Sequence, residues 1–225
     1  MKIVFVRHGH PNYQLDCLTE LGKRHAQAAA DRLTEEGIEE IYASTLGRAM
    51  ETAQIAADKL GISQIVPCEF MQELPWGPAD ETILYENGHP WFTAQKLASE
   101  NISLLNTNWQ TEEPYCHNLV AKASDVAVQG FDTFLAELGY QREGLYYRVG
   151  KNTHKTIAVF SHGGSSSAVI GHMMNLPFPY MCALFPQDFT AITILTLSDE
   201  EGQLVSPKVE LYNDARHIRG IENHE

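Results

Sequence analysis

Residues 2–10 read Lys2-Ile3-Val4-Phe5-Val6-Arg7-His8-Gly9-His10, and the fold is decided there. Four consecutive apolar residues, all of them β-branched or aromatic, match a strand buried on both faces, as in a parallel sheet covered by helices. The run meets Arg7-His8 at once. It is too short for a signal peptide and is expected to be a first internal strand, with the cytoplasm as the compartment.

Further along, the pattern repeats. Thr19 is placed to cap a helix with Leu21, Ala28, Ala29 and Leu33 on one face, and Gly37 follows as a stop. Ile38 to Ala43 predicts a second strand. Ser44 or Thr45 would cap a helix to about Leu60, halted at Gly61. Ile65 to Phe70 predicts a third strand. This alternation implies a three-layer α/β/α architecture with a mostly parallel central sheet.

From about 75 to 154 the alternation breaks. The stretch is polar and punctuated by Pro75, Pro78, Pro90 and Pro114. It predicts one firm helix, Asn118 to Leu138, and a second at about Trp91 to Asn101. We expect a single domain over residues 1–225, with a lid-like, largely helical insertion at about 75–154 capping the strand-end site. Alternation returns with a strand at Thr156–Ser161, a helix at about Ser165–Met174, and strands at Phe189–Leu197 and Val205–Leu211.

Composition narrows the function. The chain has 225 residues, with 44% hydrophobic and 20% charged, ordinary for a globular protein. Its formal net charge is −13, which argues against nucleic acid or an anionic membrane as partner. No apolar run reaches the length of a transmembrane helix. Cys17, Cys68, Cys116 and Cys182 are widely spaced without a CxxC pair, as expected of free thiols.

Two strands deliver the same signal. The first ends in Arg7-His8-Gly9, and the strand at 156–161 ends in Ser161-His162-Gly163-Gly164. Ligands in open α/β sheets bind at the carboxyl ends of the strands. Glycine there lets an anion approach the backbone, and the next helix offers free N–H groups. Arg48, early in the helix after the second strand, reaches the same edge. Arg7, Arg48, His8 and His162 together form a phosphate pocket with a nucleophile available, in a protein whose overall charge repels anions. The phosphate-binding set expected is Arg7, Arg48, His162, Gly163 and Asn12. An acid must protonate the leaving oxygen, and Glu73, just after the third strand, is first choice over Glu69 and Asp80. His25, His89, His117, His154, His172, His217 and His224 are read as hydrogen-bonded or solvated. Trp76, Trp91, Phe92, Trp109, Tyr115, Tyr146 and Tyr147 are available as aromatic walls or as packing between insertion and core.

These motifs resemble the histidine phosphatase superfamily, with its phosphoglycerate-mutase-like fold. Arg7-His8-Gly9 is similar to the family signature. Leu18-Thr19-Glu20 with Gly22 resembles its helix start, Ser44 through Arg48-Ala49 to Thr52-Ala53 its second arginine motif, Glu73-Leu74 its acid region, and Ser161-His162-Gly163-Gly164 its second histidine. The resemblance covers residues 1–75 and 155–197. It implies that His8 attacks phosphorus, that His162, Arg7 and Arg48 hold the phosphoryl oxygens, that Glu73 protonates the leaving group, and that no metal or other cofactor is needed. Where relatives often carry Glu or Gln and then Thr, this chain has His10-Pro11-Asn12-Tyr13-Gln14.

The expected activity is hydrolysis of a phosphate monoester through a phosphohistidine, with a small phosphorylated substrate and inorganic phosphate as product. The alternative is mutase-type transfer back to the substrate, an isomerase. A binding protein on a dead fold would have lost a histidine or arginine. A metalloenzyme would show HExxH or HxxxH spacing, which is absent here.

Overall fold

A computed structural model describes residues 1–151 and 154–221. Residues 152–153 of the expected insertion, and His224, lie outside the described residues. In chain order the elements are β1 (Lys2–Arg7), β2 (Pro11–Asn12), β3 (Cys17–Leu18), α1 (Glu20–Leu33), β4 (Glu40–Ser44), α2 (Gly47–Leu60), β5 (Ile65–Cys68), α3 (Pro90–Ser99), α4 (Leu119–Glu137), β6 (Tyr140–Glu143), β7 (Tyr146–Val149), β8 (Thr156–Ser161), α5 (Gly163–Met174), α6 (Phe178–Leu184), β9 (Ile192–Thr196), β10 (Leu204–Val205) and β11 (Lys208–Asp214).

Six strands form the central sheet in the order β11-β9-β1-β8-β4-β5. The β1–β8, β8–β4 and β4–β5 pairs are parallel, and β9 runs against both β1 and β11. Strand alternation then separates two cores. Ile3, Phe5, Ile157 and Val159 pack with Phe131 of α4 and Val169 of α5 on one face. Val4, Val6, Ala158 and Phe160 pack with Ala30 and Leu33 of α1 and Ala53, Ala56 and Ala57 of α2 on the other. Because both faces are covered, the strand sequences are continuously apolar. The result is a three-layer α/β/α fold with a mostly parallel sheet.

The register positions the chemistry. Arg7 lies opposite Ser161, so His8 and His162 leave adjacent parallel strands at the same height. Ser44, the last residue of β4, and the turn after β5 end at this edge as well.

Several boundaries differ from expectation, each for a local reason. Thr19 does cap α1, its Oγ1 accepting from Gly22 N at 3.0 Å. The buried face of α1 is Gly22, His25, Ala26, Ala29, Ala30 and Leu33, so Leu21 and Ala28 sit at its margin. Neither Ser44 nor Thr45 caps α2. Ser44 Oγ is taken by His162 Nε2 at 2.7 Å, and the α2 start is satisfied from a distance, by Asp16 Oδ2 accepting from Gly47 N at 2.6 Å. Gly61 closes α2 with φ +70°, the left-handed geometry glycine adopts without strain. The third strand stops at Cys68, because Glu69–Met71 turns as a 3-10 helix. β9 starts at Ile192 rather than Phe189, after Thr190 adopts φ +54°.

The segment between β5 and β8 is less helical than expected. It holds α3 and α4, but also the β6–β7 hairpin, which pairs with β10 in a second small sheet. Its alternation was masked by the polar run of exposed Gln141, half-buried Arg142 and exposed Glu143, while Tyr140, Tyr147 and Val149 are buried. The helix α6 was also not foreseen. All four cysteines are free thiols. Among the described residues, no helix is long and apolar enough to cross a membrane.

Candidate active site

His8 and His162 are 1% and 0% exposed, with ring centroids 5.1 Å apart and planes at 57°. His8 Nδ1 lies 2.7 Å from the carbonyl oxygen of Gly9. A carbonyl only accepts, so Nδ1 carries the proton and Nε2 keeps its lone pair. Arg48 Nε donates to that nitrogen at 3.3 Å. Burial, reinforced by the charges of Arg7 and Arg48, lowers the His8 pKa to about 3. Burial and the same neighbours lower that of His162 to about 2. Both rings are therefore neutral near pH 7, and His8 presents an unprotonated nitrogen.

The arginines are fixed from behind. Arg48 Nη1 pairs with Asp16 Oδ1 at 2.5 Å. Arg7 donates through Nη1 to the Gln187 carbonyl, and its guanidinium carbon sits 4.3 Å from the Phe189 ring centroid. Arg7 Nε and His162 Nδ1 are buried without a hydrogen-bond partner among the described residues. Buried donors without partners are costly and rare. An anion at this point would satisfy them.

Motif residues outside the pocket hold its backbone. Thr52 Oγ1 accepts from Gly9 N at 3.1 Å and donates to the Arg48 carbonyl at 2.7 Å, tying β1 to α2. A Cβ on Gly22 would come within 2.1 Å of the His10 carbonyl oxygen, and one on Gly47 within 2.1 Å of that of Asp16. Only glycine allows the loop between β1 and α1 to approach both helices. His10 itself bonds Thr19 Oγ1 at 3.0 Å.

Glu73 is the one acid of the three candidates that lines the cavity. Its Oε1 accepts from Leu74 N at 3.0 Å, Gly164 N at 2.9 Å and Ser165 N at 3.2 Å. It thereby caps α5, and a Cβ on Gly164 would meet it at 2.5 Å. The three donors converge on Oε1, which leaves Oε2 to carry a proton. Burial pushes the Glu73 pKa up, outweighing the opposing hydrogen bonds and arginines. Glu69 is exposed. Asp80 is at the surface, bonded to His117 Nδ1 at 2.6 Å.

A cavity of about 560 Å³ opens over this edge, lined by Arg7, Arg48, Glu73 and Gly163 on the core side and by Trp76, His89 and Trp91 on the other. Asn12 is not brought into this lining. Its Oδ1 accepts from Gln14 N and Leu15 N at 3.1 and 3.2 Å, a turn-forming use common for asparagine, and neighbouring Tyr13 lines the cavity instead. Trp109, Tyr115 and Tyr147 are buried in the core, Tyr146 and Phe92 are exposed, and Trp76 and Trp91 alone of the expected aromatics reach the cavity. Asp16, Gln187 and Phe189 support the site but carried no motif, since each acts through a partner distant in sequence; Ser44 began the second arginine motif but was expected only as a helix cap, and its hydroxyl instead meets His162.

The described residues contain one cluster at metal-ligand spacing, Glu113, Cys116 and His117. It lies outside the cavity lining, and both ring nitrogens of His117 already face carboxylates.

Comparison with known proteins agrees with this fold. Residues 3–113 match the family model described as histidine phosphatase superfamily (branch 1). The chain is 29% identical over 174 residues to phosphoglycerate mutase-like protein 4 of Arabidopsis thaliana, a match covering 72% of this chain and 66% of that relative. Among solved structures, phosphoserine phosphatase of Entamoeba histolytica in complex with 3-phosphoglyceric acid has a TM-score of 0.63 at 22% identity, covering 96% of this chain and 98% of the other. A mycobacterial glucosyl-3-phosphoglycerate phosphatase with inorganic phosphate has a TM-score of 0.63 at 21% identity, again covering 96% and 98%. At such identities the structures speak for the fold. The family match and the ordered motifs identify the chain as a member of the histidine phosphatase superfamily, and the solved structures share its phosphoglycerate-mutase-like fold.

Proposed function

We propose that this chain hydrolyses a phosphate monoester through a phosphohistidine on His8. The observation that carries the reading is the neutral, buried His8, with Nδ1 committed to Gly9 and the Nε2 lone pair directed at Arg48. In the first step Nε2 attacks phosphorus, the ester P–O bond breaks, and the leaving oxygen takes the proton from Glu73. In the second step water attacks phosphorus, gives a proton to the Glu73 carboxylate, and the P–N bond breaks to release inorganic phosphate. Arg7, Arg48, His162 and the start of α5 at Gly163 surround the phosphoryl oxygens, so catalysis is chiefly electrostatic. These groups supply the positive field that a metal supplies elsewhere. Asn12 has no part in this scheme.

Hydrolysis is favoured over mutase chemistry by charge. Among the residues lining the cavity, Arg7 and Arg48 are the only lysines or arginines, and both serve one phosphoryl group. A mutase substrate with a second strongly anionic group would find no further cation there. We place residues 1–225 in one domain, with 75–154 as the lid. The cytoplasm is the proposed compartment, where the free thiols stay reduced. The test is to incubate purified protein with phosphate monoesters and with 3-phosphoglycerate in excess chelator. Phosphate release with no loss to the chelator is expected. Isomerisation without phosphate release, or activity that returns only with added metal, would overturn the reading.

The arginines make a separate prediction. Arg7→Lys or Arg48→Lys keeps the charge but loses the planar fork. Each change should lower kcat/KM by about 10²-fold, the scale of losing one positioned donor. Steady-state kinetics on a common substrate checks it, and a change under about threefold would remove that arginine from the phosphate site.

A further inference from the structure

Beyond its arginine end the cavity changes character. Leu74, Trp76, His89, Pro90, Trp91 and Phe178 wall the remainder, while the Tyr13 ring stays at the arginine end, 5.3 Å from the Arg48 guanidinium carbon. Trp91 stands at the junction. Its Cζ2 lies 3.8 Å from the place where a Cβ on Gly163 would be, and Arg7 Nε lies 3.6 Å from the same point. The indole therefore begins where the phosphate end stops, and the first atoms of a leaving group would meet it.

This wall is held from behind. Trp91 packs edge-on to Phe178 at 6.3 Å and 81°, and Phe178 packs against Trp109 at 5.4 Å, which is only 7% exposed. A platform fixed in this way loses little freedom when a ring stacks on it. On the rim, Trp76 is 42% exposed and lies 4.8 Å from the ring of His89. His89 also lies 5.8 Å from Trp91. Its Nδ1 is buried with no hydrogen-bond partner among the described residues, and burial lowers its pKa, which keeps it neutral. An unpartnered nitrogen in an otherwise apolar wall selects a ligand with one polar atom at that position. A second anionic group on the ligand would be desolvated here without a cation, which is strongly unfavourable.

We propose that the substrate is a phosphate monoester of an uncharged alcohol bearing a flat aromatic ring, which stacks on Trp91 beneath Trp76 and offers a hydrogen-bonding ring atom to His89. This rests on the phosphohydrolase reading above and assigns its specificity. It places the enzyme downstream of a reaction that phosphorylates, or releases as a monophosphate, an alcohol carrying an aromatic ring.

The test uses leaving groups of matched chemistry, so that only binding differs. Propyl, 2-phenylethyl and 2-(3-pyridyl)ethyl phosphate are all esters of primary alcohols. For the native protein, kcat/KM for the phenylethyl ester should exceed that for the propyl ester by about 10-fold or more, the scale of one ring stacked on an aromatic side chain. The pyridyl ester should be better again, and 3-phosphoglycerate worse than all three. Trp91→Ala should collapse the phenylethyl-to-propyl ratio towards one. His89→Phe keeps a ring but removes the nitrogen, and should erase the pyridyl-over-phenyl preference alone. Equal kcat/KM for propyl and phenylethyl esters, or a preference for 3-phosphoglycerate, would overturn the proposal. If no ester releases phosphate, the hydrolase reading has failed. Calorimetric binding of the same three esters to the His8→Ala variant then decides the specificity separately: the same order of affinity supports it, and equal affinity overturns it.

Discussion

His8→Ala is expected to lose turnover by about 10⁶-fold, the scale seen when a catalytic nucleophile is removed, while the protein stays folded. His8 is buried at the end of β1, so the substitution leaves a small hole but no unpaired charge. The strand hydrogen bonds on either side do not depend on the ring, and His8 N still donates to the Ser161 carbonyl. Circular dichroism and a thermal melt should show native secondary structure and a cooperative transition. The native enzyme, quenched during turnover, should yield an acid-labile phosphoryl group on His8. The nitrogen is specified too: with Nδ1–H held by Gly9, the phosphoryl group belongs on Nε2. Near-native activity in the alanine variant, or a phosphoryl group on His162 instead, would reassign the nucleophile.

How much of this was readable in the chain depends on how far each interaction reaches. The run from Ile3 to Val6 was legible because both faces of β1 are buried, which leaves no polar alternation. Arg7, His8 and His162 were legible because each ends or directly follows an apolar strand, and parallel strands end at one edge. Arg48 and Thr52 lie one turn apart on α2 and face the same way. Asp16 was not legible. It reaches Arg48 and Gly47 across some thirty residues, and nothing local distinguishes it from a surface aspartate. Ser44 looked like a helix cap, a local use, but tertiary closure gave its hydroxyl to His162. Asn12 went the other way: it looked like a ligand to phosphate, and local turn chemistry claimed it. The β6–β7 hairpin failed for a third reason, because only Tyr140, Tyr147 and Val149 of this edge are buried, while Gln141, Glu143 and Tyr146 are exposed. The fold was thus read from burial, the core of the site from strand ends, and of its supporting contacts only those made inside a motif, such as those of Thr52 and Gly22.

Glu73→Gln separates acid catalysis from mere positioning. Gln keeps the shape of Glu, and its carbonyl oxygen still accepts the N–H groups of Leu74, Gly164 and Ser165, so α5 keeps its cap. What disappears is the proton on Oε2. A poor alkoxide leaving group needs that proton, and activity on an alkyl phosphate should fall by about 10²–10⁴-fold, the usual contribution of general acid catalysis. A p-nitrophenolate leaves without it, so p-nitrophenyl phosphate should be affected far less. The pH dependence follows from the two opposed shifts. His8 must be unprotonated, so kcat/KM rises as pH climbs through its lowered pKa of about 3. Glu73 must be protonated, so kcat/KM falls as pH climbs through a pKa raised above the ordinary carboxylate range. The native enzyme should therefore show two limbs on an alkyl ester, an acid limb set by His8 and an alkaline limb set by Glu73. In the Gln variant the alkaline limb due to Glu73 should vanish while the acid limb stays, any ionisation of the substrate being common to both proteins. Equal losses on both substrates with an unchanged alkaline limb would make Glu73 a cap of α5 and nothing more. The proton would then have to come from elsewhere, and Asp80 would not supply it from where it stands, at the surface with Oδ2 already bonded to His117.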